Sequence, residues 1–286
     1  MFNFCYLWHS LILTICFSSY GQLSSDFDWD YIVFSQRWPL STCAEWEETK
    51  PGNVCNLPTN RLTWTVHGIW PTKSGTRGPI SCNSAIHFDP NQLTPMLDDL
   101  KEHWTNVEAN TKQNSFWEHE WKKHGTCASI LPQFDSVTNY FSRGLKFNKD
   151  YNLSTILESN GVVPNNNGYN LQDVYNTIMN STGKEPSIQC VTDKNTKESF
   201  ISEIRICLNK TLDLIDCEPS SAHEKGDIGM NTNCNLKKSV IYLLKIPQFY
   251  LNENESEMNE IDQTFQNWKY YTMIYNFLNV LFWITL

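Results

Sequence analysis

The chain has 286 residues, is 40% hydrophobic and 13% aromatic, and carries a formal net charge of -9. That much apolar material fills a core and excludes a chain disordered throughout. The acidic balance excludes a protein that grips nucleic acid with a broad basic face; any positive charge for a nucleic acid has to be local, at one or two phosphates.

Residues 1–21 contain no Lys, Arg, Asp or Glu, residues 11–17 form an apolar run, and Ser19-Tyr20-Gly21 sets small residues where a signal peptidase reads. They are expected to be a secretory signal peptide, with His9 and the amino terminus as the only positive charge at its start. Of ten cysteines, removal of Cys5 and Cys16 leaves Cys43, Cys55, Cys82, Cys127, Cys190, Cys207, Cys217 and Cys234. An even set in an exported chain predicts a disulfide framework, and the lack of a C-x-x-C pair argues against a zinc cluster. Sequons at Asn152, Asn180, Asn209 and Asn254 fit a glycoprotein in the extracellular space or the lysosomal lumen.

Residues 31–35 (YIVFS) are β-prone and end at Trp38-Pro39; a loop is expected through Cys43 and Cys55. Residues 62–67 alternate as a second strand, with His67 at its end opposite Leu62, Trp64 and Val66, and Gly68 and Pro71 are expected to break it. Thr94-Pro95 opens a predicted helix through Trp104. Residues 115–124 carry the clearest helix signals, a Ser115/Glu118 capping box and Gly125 as a left-handed cap. Further helices are predicted over 135–145, 154–159 and 171–180, and strands over 187–191, 200–208 and 239–246. Strands and helices mix without strict alternation, which gives an α+β class.

Composition shifts after Tyr250. Residues 22–250 are expected to form the functional domain, 251–271 an acidic polar linker, and 272–286 an apolar tail. The tail is shorter than the ~20 residues of a spanning helix. A short membrane anchor, a removed lipid-anchor signal and a docked helix all remain open for it.

At about 100° per residue, His119, Glu120, Lys123 and His124 share an arc of about 140°, with Trp117 and Trp121 on the other side. The plain reading is a solvated amphipathic helix. The sharper one is a site, because imidazole suits proton transfer near neutral pH. Two helical histidines share one zinc when four apart, whereas His119 and His124 are five apart. His67-Gly68-Ile69-Trp70-Pro71 adds a third histidine and Trp70, which reads either as core or as a plate on which an unpaired base stacks.

His67-Gly68-Ile69-Trp70-Pro71, together with the twelve residues from Phe116 to Cys127 (FWEHEWKKHGTC), resembles both active-site signatures of the ribonuclease T2 family. Gln36, Trp38, Pro39 and Cys43 also resemble the family's opening strand. The resemblance implies an α+β fold with an antiparallel central sheet flanked by helices, and a secreted or lysosomal endoribonuclease acting on single-stranded RNA but not DNA. It implies His124 as general base, His67 as general acid, Glu120 and Lys123 as stabilisers of the phosphorane, and His119 as a phosphate ligand. No metal or cofactor is implied, and a monomer is expected. The pairs implied are Cys43–Cys55, Cys82–Cys127, Cys190–Cys234 and Cys207–Cys217. Many relatives carry Asp where this chain has Thr72, a residue that helps read the base, so base preference does not carry over. Other classes are a binding or signalling protein that keeps the fold, which loss of His67 or His124 would support although both are present; a metalloenzyme, which chelation separates; and a structural glycoprotein, which has no reason to contain both signatures.

Overall fold

The computed structural model describes residues 28–50, 52–76, 78–112, 114–194, 196–218 and 230–247. The expected signal peptide, linker and tail, and the sequon at Asn254, lie outside these described residues. The sheet is built on β1 (Tyr31–Arg37), β2 (Thr65–Thr72), β3 (Asn165–Tyr169), β4 (Ser187–Thr192), β5 (Ser199–Leu208), β6 (Leu214–Ile215), β7 (Asn231–Thr232) and β8 (Val240–Tyr242). Its main path runs β2-β1-β5-β4-β7. The long pairings β1–β2, β1–β5 and β4–β5 are antiparallel, while the short β4–β7 and β5–β8 pairings are parallel. Helices pack against this sheet, so the chain is an α+β protein as expected.

The loop expected through Cys43 is instead α1 (Pro39–Thr49). Pro39 stands in its first turn, where a missing N–H leaves nothing unpaired, and Leu40, Cys43 and Ala44 give it a buried side. The helix expected from Thr94 begins later, as α2 (Leu97–His103), because Pro90–Met96 winds as a tighter 3-10 segment. The segment that carries His119 to His124 is α3 (Ser115–Glu120), a π-helical stretch Trp121–Gly125, and α4 (Thr126–Ala128). Then follow α5 (Val137–Asp150), α6 (Leu153–Glu158) and α7 (Leu171–Thr182). Strand β3 carries no apolar alternation, and its sequence NNNGY gave no strand signal.

Among the described residues, two large apolar clusters hold these layers. One joins Trp38, Trp64 and Tyr242 to Val174 and Ile178 of α7 and to Ile188 and Ile204 of the sheet. The other joins Phe34, Val66 and Ile69 to Trp104, Trp117, Trp121, Tyr140 and Phe141. Trp117 and Trp121 are thus the buried side of that helix, as their spacing predicted. The indole N–H groups stay satisfied: Trp117 donates to the Trp104 carbonyl at 2.8 Å and Trp38 to that of Leu243 at 2.8 Å. Among the described residues, no helix is long and apolar enough to cross a membrane.

Disulfides join Cys43–Cys55, Cys82–Cys127, Cys190–Cys234 and Cys207–Cys217, the four pairs the family resemblance implies. Cys82–Cys127 ties α4 to the loop that follows β2, across 45 residues of chain. Replacing both cysteines by Ser is expected to lower the unfolding free energy by about 2–5 kcal/mol in guanidinium titration. A loss below about 1 kcal/mol would mean that the bridge does little to constrain the unfolded chain. Of the described sequons, Asn180 is exposed on α7, Asn152 caps α6 through Thr155 N–H, and Asn209 is tied to Thr211 and Asp213.

Candidate active site

Strand β2 is the sheet's edge on the β1 side. It does not end at His67: it continues through Gly68 and Pro71 to Thr72. Proline is tolerated there because one side of an edge strand needs no ladder donor. Ser35 pairs with Gly68 and Gln36 with Val66, so His67 is an extra residue, a β-bulge. In a regular strand residues 67 and 70 point to opposite faces. The bulge puts His67 and Trp70 together, with ring centroids 4.9 Å apart. The Trp104 indole donates to the His67 carbonyl at 3.0 Å and fixes the bulged backbone. Tyr140 hydroxyl, donating to Ile69 carbonyl at 3.0 Å, does the same one step on.

Gly68 is not a turn glycine; its φ is not positive. It is there for space. A Cβ at residue 68 would lie 2.1 Å from Glu120 Oε2 and 2.3 Å from Trp70 Nε1. Those two groups meet in a hydrogen bond, Trp70 Nε1 donating to Glu120 Oε2 at 3.0 Å.

The active-site helix differs from its expected form at both ends. Asn114 is the N-cap without a side-chain bond, and Ser115 Oγ donates back to Lys112 carbonyl at 2.7 Å, so the Ser115/Glu118 capping box is absent. Gly125 has φ -59° and the helix runs on to Ala128, so it is no left-handed cap. Its Cβ would stand 2.3 Å from Trp121 Cε3, which is the reason for glycine. Between them, Thr126 N–H reaches back to the Trp121 carbonyl, an i→i+5 bond. A π turn takes in one extra residue, so the uniform spacing that set His119 and His124 about 140° apart does not apply. Along this helix His119 is exposed, Glu120 buried, and Lys123 and His124 half-buried.

Trp70 is the middle of the site. His67 meets its edge, His124 lies 5.5 Å from it by centroid, and the Arg205 guanidinium sits 5.3 Å over the ring. Phe116 lies 5.8 Å from His67 and rests on the buried guanidinium of Arg37, at 4.2 Å. The His67 Nδ1 pairs with the carboxylate of Glu203. Glu203 also accepts from Ser35 Oγ at 3.1 Å and from Arg205 Nε and Nη2 at 3.1 and 2.9 Å.

The two imidazoles therefore sit in opposite surroundings. Burial, then Lys123, His67 and His119, push His124 down to about 3. Its Nδ1 is buried and takes no hydrogen bond among the described residues. His67 instead faces a carboxylate. Burial alone would raise Glu203, but His67 and Arg205 outweigh it and hold the carboxyl below the ordinary range. Burial raises Glu120 against the opposing pull of His67, Trp70 N–H, His119 and Arg37. Arg37 is lowered by burial to about 10 and stays a cation at any working pH.

The structure thus gathers His67, Trp70, Glu120, Lys123 and His124, with His119 on the exposed side of the same helix. A cavity of about 290 Å³ opens beside Trp70 and His124, lined also by Thr72, Tyr31, Arg205 and Asn231. A larger one of about 640 Å³, between Asn56, Glu102 and Asn106, contains none of the expected site residues. Sequence reasoning passed over Arg37, Glu203 and Arg205. The available signal was Glu203 and Arg205 alternating with Ile204 and Ile206 in an otherwise apolar strand.

The sequence model of the Ribonuclease T2 family matches residues 29–217. Ribonuclease Oy of Magallana gigas is 38% identical over 218 residues, which is 75% of this chain and 96% of that protein. Ribonuclease T2 of Sus scrofa is 32% identical over 193 residues, 66% of this chain and 90% of that one. The crystal structure of human RNase T2 superposes with a TM-score of 0.60 at 28% identity, over 75% of this chain and 98% of that chain. Fold and sequence similarity agree: this chain belongs to the ribonuclease T2 family and is an endoribonuclease.

Proposed function

We propose that the protein cleaves single-stranded RNA by attack of a ribose 2′-OH on the adjacent phosphorus. His124 takes the 2′-OH proton, the 2′-oxygen bonds to phosphorus, and the departing 5′-oxygen receives a proton from His67. The product carries a 2′,3′-cyclic phosphate, which water then opens slowly to a 3′-phosphate. The observation that carries this reading is the contrast between the two imidazoles flanking Trp70. One is kept neutral by burial and nearby cations, and one faces a carboxylate. Paired groups whose surroundings pull them apart mark the base and the acid.

The remaining residues fit the charge that develops. Lys123 supplies a cation to the phosphorane, supported by Glu120, and exposed His119 holds a phosphate. Trp70, Thr72 and Arg205 line the cavity next to His124, where Trp70 offers a base its indole. Solved relatives hold mononucleotides: RNase NT with 5′-AMP, and RNase MC1 variants with 5′-UMP and 5′-GMP. DNA lacks the attacking hydroxyl and is not a substrate. The chain acts as a monomer in the extracellular space or lysosomal lumen, and contact with a membrane rests on the tail alone.

The pH dependence tests the reading. The base must be neutral and the acid protonated in one molecule. With His124 pushed down to about 3, the base is ready throughout the mildly acidic range. A general acid has to carry its proton, so an alkaline limb is expected as well. So kcat/KM should climb as pH passes upward through about 3, peak in the acidic range and fall toward neutrality and above. The profile is to be measured on an oligoribonucleotide with excess EDTA, which should leave it unchanged. An alkaline optimum, or activity abolished by chelation, contradicts the proposal.

A further inference from the structure

Three neighbouring strands build something the RNA-cleaving signatures do not contain. His67, the bulged residue of β2, reaches across β1 to Glu203 of β5. Ser35 of β1 lies between them and donates to Glu203, and Arg205, two residues along β5, holds Glu203 with two N–H groups. We infer that Glu203, clamped by Ser35 and Arg205, is the positioning residue of His67: its carboxylate accepts a hydrogen bond from Nδ1–H and so turns Nε2 to the departing oxygen. This rests on the reading of His67 as the acid.

The chemistry follows from the arrangement. An imidazole that gives Nδ1–H to a carboxylate has one tautomer and one ring orientation. The carboxylate's negative charge also faces the ring that has to hand over a proton at Nε2. Arg205 keeps Glu203 from swinging into the cleft and makes a second contact on Trp70. Bulge and carboxylate act together, since without the extra residue the imidazole would not lie on the Trp70 side of the sheet. The other charged groups acting on Glu203 or His67 are Arg37 of β1, Glu45 of α1, and Glu120 and His124 of the active-site helix. Glu45 and Glu120 are carboxylates near His67, but among the described residues it is Glu203 that bonds to its ring nitrogen.

The test uses the full chain. Glu203→Gln keeps size and an acceptor oxygen but removes the charge. The alkaline limb of kcat/KM is expected to move to lower pH, because the charge that faces the acid is gone. At the optimum kcat should fall at least about 10-fold, the scale for removing a partner that orients a histidine, with KM little changed. Glu203→Asp should return the limb part of the way. Folding of the variants does not limit the test, because wild-type protein labelled with 15N-histidine reports directly. Below the pH optimum the His67 signal, assigned by its loss in His67→Gln, should show a protected, downfield Nδ1 proton. An unprotonated Nδ1 there, or an unmoved limb in Glu203→Gln, overturns the inference. If His67→Ala is inactive while Glu203→Gln keeps its limb, only this inference falls. If His67→Ala is fully active, the acid reading falls and this inference with it.

Discussion

His67→Ala and His124→Ala are each expected to lose at least about 100-fold in kcat on an oligoribonucleotide, the usual scale for one general acid or base. Equal losses would not separate the roles, so the leaving group has to be varied. A 3′-phosphodiester with a p-nitrophenyl leaving group departs as a stable phenolate and needs no proton. On that substrate His67→Ala should recover most of its activity, because only leaving-group protonation was removed. His124→Ala should not, because the 2′-OH still needs its base. The reverse pattern would exchange the two roles. Equal loss on both substrates would mean that the mutations disturb binding and not proton transfer. Neither change should unfold the protein. His124 Nδ1 has no partner to abandon, and Glu203 keeps Arg205 when His67 is gone.

Gly68→Ala is expected to be nearly as harmful, although it removes no chemical group. The added methyl meets the Glu120 carboxylate and the Trp70 indole, at the hydrogen bond that joins strand β2 to the active-site helix. Neither partner can retreat. Glu120 is buried, and Trp70 is bounded by His67, His124 and Arg205. Overpacking of this kind costs about 1–3 kcal/mol, and losing a hydrogen bond to a charged group about 1.5–3 kcal/mol. Displacing the site by about 1 Å costs about 100-fold in rate. Thermal unfolding and kcat should therefore both fall. A Gly68→Ala enzyme with wild-type kcat would mean that Trp70 and Glu120 do not meet beneath residue 68.

How much of this was legible in the sequence depended on how local each feature is. Both signatures are contiguous, so His67, Trp70, His119, Glu120, Lys123 and His124 were visible at once. Helices α5, α6 and α7 and strands β4 and β5 follow local apolar spacing, and they appear close to where that spacing put them. Three features were not local. The bulge at His67 is a property of two paired strands, and the 62–67 alternation alone extended a regular strand to a false end. The π turn at Trp121–Gly125 changes helix phase without any residue type that announces it, and Gly125 looked like a terminator when it was relief for Trp121. Glu203 lies 136 residues beyond His67, and only the sheet order β2-β1-β5 brings them together. Helix α1 was missed because Trp38-Pro39 was read as a stop, where the proline is a first-turn residue.

Attack by the 2′-oxygen is the claim on which the mechanism turns, and a matched pair of oligonucleotides tests it most directly. One is all ribose; the other has a single 2′-deoxyribose at the scissile nucleotide. Incubated with the enzyme at its acidic optimum and read by mass spectrometry, the first should yield a 5′ fragment ending in a 2′,3′-cyclic phosphate, and the second should survive intact at that position. Cutting of the deoxy copy there at a comparable rate, or a first product ending in a free 3′-hydroxyl, would contradict the histidine-paired mechanism.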